Sequence, residues 1–288
     1  MTDPDERLAV VTRLRAAGCV WAEEETDLLL AAAGSAPELR VLVERRVAGE
    51  PLEHVLGGVV FAGVRIRLGP GVFVPRRRTE ALVRSVLARV GPGDVVVDLC
   101  CGAGAIGAAV LAAAPAVEVW AADVDPVAVG WARRNLPADR VRLGDLDAPL
   151  PVQLRGGVAV LVANVPYVPR AAIALLPPEA REHEPRWALD GGPDGLDVLR
   201  RLAAVAPGWL RPGGVLLSEV ADPQVSGALA ALEAAGLSAA GETGDRGDEG
   251  IRDDEGTRDD ETDGTVVVVG TQPSAAPDGR TAGSTTSP

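Results

Sequence analysis

Three carboxylates and one run of small residues mark where this chain could do chemistry. The stretch "DLCCGAGAIG" begins at Asp98 and places Gly102, Gly104 and Gly107 in G-x-G-x-x-G spacing. Such a turn bends the backbone tightly and lets a ligand approach main-chain N–H groups. Asp123 follows 16 residues after Gly107, and Asp145 ends "RLGD". A carboxylate at a strand end can accept both hydroxyl hydrogens of a ribose. One acid in such a place is often a helix cap; three at successive strand ends point to a ligand crevice. A fourth feature is "NVPY", Asn164 to Tyr167, which follows the apolar run "VAVLVA" and contains the only tyrosine of the chain. In an open α/β sheet, the end of a buried strand is where sites gather.

The elements that position these residues are legible from about residue 80 onward. "DVVVDL", "VEVWAAD", "RVRLGD", "VAVLVAN" and "GGVLLSEV" read as strands, and "GAGAIGAAVLAAAP", "DPVAVGWARRNL", a segment around 195–206 and "PQVSGALAALEAAG" as helices. This alternation predicts a parallel sheet covered on both faces, with ligands at the carboxyl ends of its strands. "DERLAVVTRLRAAG", "AEEETDLLLAAAG" and "PELRVLVERRVAG" each carry aliphatic residues at helical spacing and end in glycine, which predicts a small helical bundle. "VVFAGVRIRLGPGVFV" alternates around Gly-Pro-Gly and predicts a hairpin. The expected organisation is therefore a helical domain over 1–56, a hairpin linker over 57–78 and a Rossmann-like α/β domain over 79–272. Residues 241–264 are charged, repetitive and poor in apolar side chains, and read as a disordered acidic insertion between two strands; 273–288 read as a disordered tail.

Composition narrows the function. Apolar residues make up 47% and aromatic residues 3%, so Val, Leu and Ala must fill the core. The net charge is −13, but 12 acidic residues against four arginines lie from Gly241 onward, which leaves a mildly acidic body. That balance disfavours nucleic acid as a direct substrate and leaves a protein or small molecule. Cys19, Cys100 and Cys101 form neither a disulfide framework nor a CxxC pair, and "MTDPDERLAV" is unlike a secretory leader, so a reducing cytoplasm is the expected location. Residues 102–122 are nearly uncharged, but glycines, Pro115 and Glu118 interrupt them, which argues for a buried helix and strand over a membrane span. His54 and His183 are too few for a metal site and have no motif spacing to the adjacent thiols. The thiols therefore read as small residues filling a turn rather than as nucleophiles. Because Asp98 lies ahead of the glycine turn, the ligand should carry positive charge. S-adenosylmethionine, with its sulfonium and ammonium groups, meets that description; a dinucleotide does not.

Taken in order, "GEPLEHVLG", "VFVPRRRTEALV", "VVDLCCGAGAIG", "AADVDPVAVGWARRNL", "LVANVPYVP", "EHEPRWALDGGPDGLDVLRRL" and "LRPGGVLLSEV" resemble the HemK/PrmC group of S-adenosylmethionine-dependent methyltransferases, which methylate a glutamine side-chain nitrogen in a protein. The resemblance implies a class I methyltransferase fold, a peptide-chain release factor as substrate and a helical domain that docks it, and the chain is expected to be a monomer. It further implies that Asp98, Cys100, Cys101, Gly102, Ala103, Gly104, Asp123, Asp145, Leu146 and Asn164 surround the cofactor. Asn164, Val165, Pro166 and Tyr167 would hold the glutamine amide, through the Asn164 side-chain oxygen and the residue 165 carbonyl. Three positions depart from the family pattern: Cys100 and Val165 replace a glycine and a proline, and Arg77 replaces a proline ahead of Thr79-Glu80. Valine keeps the carbonyl but loses the φ restraint of proline, which implies a variant subgroup with retained activity. Two other readings are a methyltransferase acting on an exocyclic amine of a nucleobase and a cofactor-binding module without turnover. Arg181, Glu184 and Arg186 read as scaffolding.

Overall fold

A computed structural model describes residues 4–242 and 264–274. Its first unit contains α1 (Pro4–Ala16), α2 (Ala22–Ala32), α3 (Ala36–Val47) and the short α4 (Leu52–Leu56). Leu14, Leu29, Val43 and Val55 close its own small core. The start of α3 is set by Ser35, whose side chain accepts the Glu38 N–H at 3.4 Å, with Pro37 in the first turn.

The hairpin follows as β1 (Gly58–Phe61) and β2 (Val64–Arg67), antiparallel with Phe61 opposite Val64. Its turn is Ala62-Gly63, both at positive φ, and not the predicted Gly69-Pro70-Gly71. A two-residue turn of this kind matches the twist of the flanking strands. The Glu80 carboxylate secures it by accepting the Ala62 N–H at 3.0 Å. Gly69 instead lies against Trp131, where a Cβ would come within 2.6 Å of the ring.

The α/β unit runs α5 (Glu80–Leu87), β3 (Val95–Leu99), α6 (Ala105–Ala113), β4 (Glu118–Asp123), α7 (Pro126–Asn135), β5 (Val141–Leu143), β6 (Val158–Ala163), α8 (Pro178–His183), α9 (Asp197–Val205), β7 (Leu210–Ala221), α10 (Val225–Ala234), β8 (Ser238–Glu242) and β9 (Thr265–Thr271). The seven strands are ordered β5-β4-β3-β6-β7-β9-β8. β9 runs antiparallel to both neighbours, so the sheet is mixed where a parallel one was predicted. Every residue of β6 is buried, as expected for a central strand covered on both faces. Val96, Val119 and Val160 pack with α5, α6 and α7 on one face. Val97, Leu161 and Leu216 pack with α9 and α10 on the other.

From β3 the chain builds outward through β4 and β5, then returns to β6 on the opposite side of β3. The carboxyl ends of β3 and β6 thus face a topological switch point, which leaves a crevice there. The helical unit is fastened to the wall of that crevice. Buried Arg46 of α3 binds Glu25 of α2 at 2.6 Å and Glu179 of α8 at 2.5 Å. Of the predicted insertion, Gly241 and Glu242 belong to β8; residues 243–263 and most of the predicted tail lie outside the described residues. Among the described residues, no helix is long and apolar enough to cross a membrane.

Candidate active site

A crevice of about 980 Å³ opens at the switch point, lined by Cys100 to Ala103, Asp123, Asp145, Leu146 and Asn164 to Tyr167. The structure thus brings together most of the residues singled out in the sequence. Asp98 and Gly104 are not in its lining. The volume is at the upper end of small-molecule sites, about 300–1,000 Å³, so a ligand and an inserted side chain can share it.

The floor is the turn after β3. Cys100 (φ 54), Gly102 (φ 55) and Gly104 (φ 78) all adopt left-handed backbone. At Cys100 this costs a side-chain-bearing residue about 1–2 kcal/mol, a cost that glycine avoids. At Gly104 a Cβ would also press on the end of α7, within 2.9 Å of the Leu136 Cδ1 methyl and 3.3 Å of Ala132 Cβ, so those side chains would have to give. Asp123 ties the turn to β4: one carboxylate oxygen accepts Gly102 N–H at 2.8 Å and the other Asp125 N–H at 2.9 Å. Asp125 in turn caps α7 by accepting Val127 N–H at 2.9 Å. Burial raises the Asp123 carboxyl above its ordinary value. The thiols of Cys100 and Cys101 are pushed up as well, first by burial and then by the nearby aspartates. A nucleophilic cysteine needs the opposite shift. Across the crevice, Arg201 binds Asp145 at 2.5 Å, and Leu146 is buried at φ 46.

Asp98 serves the site from behind. It shares a face of β3 with Val96 and meets the start of α6, where its Oδ2 accepts Gly107 N–H at 3.0 Å. Gly104 has no side chain with which to cap that helix, so Asp98 does so from the sheet. Its Oδ1 accepts no hydrogen bond. Burial, opposed by the Gly107 N–H and reinforced by Asp123, raises the carboxyl to about 7. The folded protein therefore keeps this proton at pH values where the unfolded chain, with an ordinary carboxyl near 4, has lost it. Its contribution to stability declines as pH rises from about 4 to about 7 and is constant above that. Asp98→Asn keeps an acceptor for Gly107 without the charge. In calorimetric melts of the ligand-free protein, its stability advantage over the parent should widen by up to about 1.4 kcal/mol per pH unit across that window. An advantage that does not change with pH would remove the assignment.

The opposite wall is the tetrapeptide after β6. Asn164 Nδ2 donates to Thr79 Oγ1 at 3.2 Å, which directs the amide, and Asn164 Oδ1 is buried with no partner. A buried acceptor left unpaired costs about 1–3 kcal/mol, which an incoming N–H recovers. Val165 is buried, and although it lacks the φ restraint of proline, the following Pro166 confines it to extended backbone. The Tyr167 hydroxyl donates to Glu219 Oε1 at 3.0 Å and accepts from Arg78 Nη2 at 2.9 Å. Burial and then the Glu219 charge push this phenol up to about 12. Sequence reasoning missed Thr79, Arg78, Glu219, Arg201 and Gln224, the partners that hold the predicted residues. For Thr79 a signal was present in the Thr-Glu pair of "PRRRTEALV". Glu184, read as scaffolding, accepts the Val74 N–H at 3.2 Å and binds Arg76 at 2.7 Å.

The residues fit S-adenosylmethionine. Asp123 retains free lone pairs at a strand end in the lining, as a ribose diol requires. Gly102, where a Cβ would meet nothing within 4 Å, leaves the floor open to close approach.

Residues 63–172 match the family described as methyltransferase small domain. The release factor glutamine methyltransferase of Streptomyces coelicolor is 43% identical over 189 residues, 64% of this chain and 67% of that protein. The enzyme of the same name from Moorella thermoacetica is 41% identical over 209 residues, 69% of this chain and 71% of that protein. A methyltransferase structure from Pyrococcus furiosus superposes with a TM-score of 0.50 at 16% identity, covering 82% of this chain and 98% of that one, a likeness of fold. With relatives this similar over two thirds of their length, the chain belongs to the release factor glutamine methyltransferase family.

Proposed function

We propose that this chain transfers the methyl group of S-adenosylmethionine to the side-chain amide nitrogen of a glutamine in a peptide-chain release factor, in the cytoplasm. The observation that carries the reading is Asn164, which lines a crevice whose floor suits the cofactor: its Nδ2 is committed to Thr79, and its buried Oδ1 has no hydrogen-bond partner. The names of the relatives support the release factor as acceptor.

Bound in the crevice, S-adenosylmethionine supplies an electrophilic methyl carbon. An amide nitrogen is a poor nucleophile because its lone pair is delocalised into the carbonyl. Asn164 Oδ1 accepts one N–H of the glutamine and the Val165 carbonyl the other, which turns the nitrogen lone pair toward the methyl carbon. Tyr167, fixed by Arg78 and Glu219, packs over the amide and limits its rotation. S-adenosylmethionine held there would give up its methyl carbon to this nitrogen and keep the electron pair on sulfur, and the Asn164 and Val165 acceptors would leave the methylated nitrogen free to lose one proton to water. Alignment is the main device, and holding reactants in a near-attack geometry lowers a barrier by several kcal/mol. No side chain has to act as a base. The departures at Cys100 and Val165 keep what the step uses, a small group in the turn and a carbonyl at position 165.

The test is transfer of labelled methyl from the cofactor to purified release factor, with nucleic acid as the competing acceptor and the label located by mass spectrometry. Label on a glutamine of the release factor is expected. Label on nucleic acid alone would replace this reading with the base-modifying one, and binding without transfer to either would leave a cofactor module.

A further inference from the structure

Gln224 lies outside the crevice, between β7 and α10, and is 8% exposed. Its Nε2 donates to the Tyr167 carbonyl at 2.7 Å and to the Asp194 carbonyl at 2.9 Å, and its Oε1 accepts the Ala221 N–H at 3.0 Å. Holding a glutamine in one rotamer costs about 1.5–2 kcal/mol of side-chain entropy, which three bonds at a buried site offset. The surrounding backbone is shaped to this amide. At Gly195 (φ 82) a Cβ would overlap both Gln224 Nε2 and the Tyr167 carbonyl, and at Gly191 it would come within 2.7 Å of the Pro166 carbonyl. Downstream, Val168 N–H donates to Leu189 O at 3.0 Å and Gly191 N–H to Val168 O at 2.9 Å. The segment after the tetrapeptide is thus fastened to the 189–195 loop, on the surface by the Arg170–Asp190 ion pair at 3.0 Å and, at the buried Tyr167 carbonyl itself, by Gln224.

We propose that Gln224 is a positioning residue for methyl transfer: by clamping the Tyr167 carbonyl to the Asp194 turn it fixes the backbone path of Asn164 to Tyr167, supplying the restraint that valine at position 165 does not. The role rests on the methyl-transfer reading above. Tyr167 is then held at both ends, its carbonyl by Gln224 and its hydroxyl by Arg78 and Glu219. Slack at either end propagates to Asn164 Oδ1 three residues away. Misplacing a reacting group by 1 Å costs a rate about 10²-fold, so the effect belongs in kcat.

Two near-isosteric variants test this. Gln224→Leu removes the clamp, and Gln224→Glu keeps the acceptor for Ala221 but sets a carboxylate against two carbonyls. Gln224→Met stands in for either that does not fold. Expected is a fall in kcat of about 30-fold or more, with KM for the release factor and calorimetric affinity for S-adenosylmethionine within about threefold of the parent. A second reading needs no activity: Tyr167 is the only tyrosine, so near-ultraviolet absorbance during alkaline titration reports its ionisation alone. Its midpoint should move from about 12 toward the ordinary phenol value of about 10. Adding Val165→Pro should raise kcat by a larger factor in the Gln224→Leu background than in the parent. Folded variants with parental kcat and an unmoved phenol titration would overturn the role. If the parent itself labels no release factor, the methyl-transfer reading falls, while the phenol titration still decides whether Gln224 holds the loop.

Discussion

Replacing Asn164 by alanine is expected to lower kcat for glutamine methylation by about 10²–10³-fold while cofactor affinity changes by less than about threefold. Asn164 Oδ1 is an acceptor already stripped of water and of protein partners, so its desolvation cost is met in the resting fold and not at the moment of reaction. That is the condition under which a fixed dipole contributes most to a transition state. Alanine removes both the acceptor and the Nδ2 contact to Thr79. Asn164→Asp keeps an acceptor oxygen of the same reach, and the Thr79 hydroxyl can rotate to donate to it. It should retain more activity than Asn164→Ala, although its charge alters the field at the crevice. Single-turnover labelling together with calorimetric titration of the cofactor checks both; an alanine variant as fast as the parent would end the case for this residue.

Asp123→Ala is expected to weaken S-adenosylmethionine binding by about 10²-fold, since two hydrogen bonds to a charged acceptor at about 1.5 kcal/mol each are lost. The variant also leaves the Gly102 and Asp125 N–H groups without their acceptor, which loosens the turn on which the cofactor rests. Folding stability should fall much less than binding free energy. Burial holds the Asp123 carboxyl above its ordinary value, so deleting it also relieves a charge that the empty fold carries at a cost. A drop of a few degrees in melting temperature beside a large loss of affinity is the expected pattern. Equal losses in both would assign Asp123 a purely structural part.

The sheet and the place of the crevice were legible because their signals are local. "VAVLVA" is apolar without a break, and "DLCCGAGAIG" joins a strand to a helix through glycines, so β6, β3 and the turn could be read directly. The hairpin turn was misread because Gly-Pro-Gly is a strong turn signal, whereas the left-handed conformation of Ala62 is enforced by pairing across the turn and by Glu80, which lies 18 residues away. The direction of β9 is absent from the sequence order altogether, since an apolar run looks the same whichever way it enters a sheet. Alternation along β3 does place Asp98 on the face of Val96, toward α6, and this explains why it caps a helix outside the crevice lining. The supports of the tetrapeptide carried no local signal. Thr79 and Asn164 are 85 residues apart, Tyr167 and Glu219 are 52 apart, and Gln224 meets Tyr167 across 57. Only folding makes them neighbours.

The pairing of the last strands bears on what can reach the crevice. β8 ends at Glu242 opposite Val267, and β9 begins at Thr265 opposite Ala221, so both tethers of residues 243–263 leave from the same rim of the sheet as the crevice. That stretch contains ten acidic residues and three arginines. The sequence thus attaches ten carboxylates to the chain at Glu242 and Thr265, a local bias that the mildly acidic body would not suggest. Long-range attraction there favours visitors with cationic faces and slows polyphosphates, and added salt flattens the contrast.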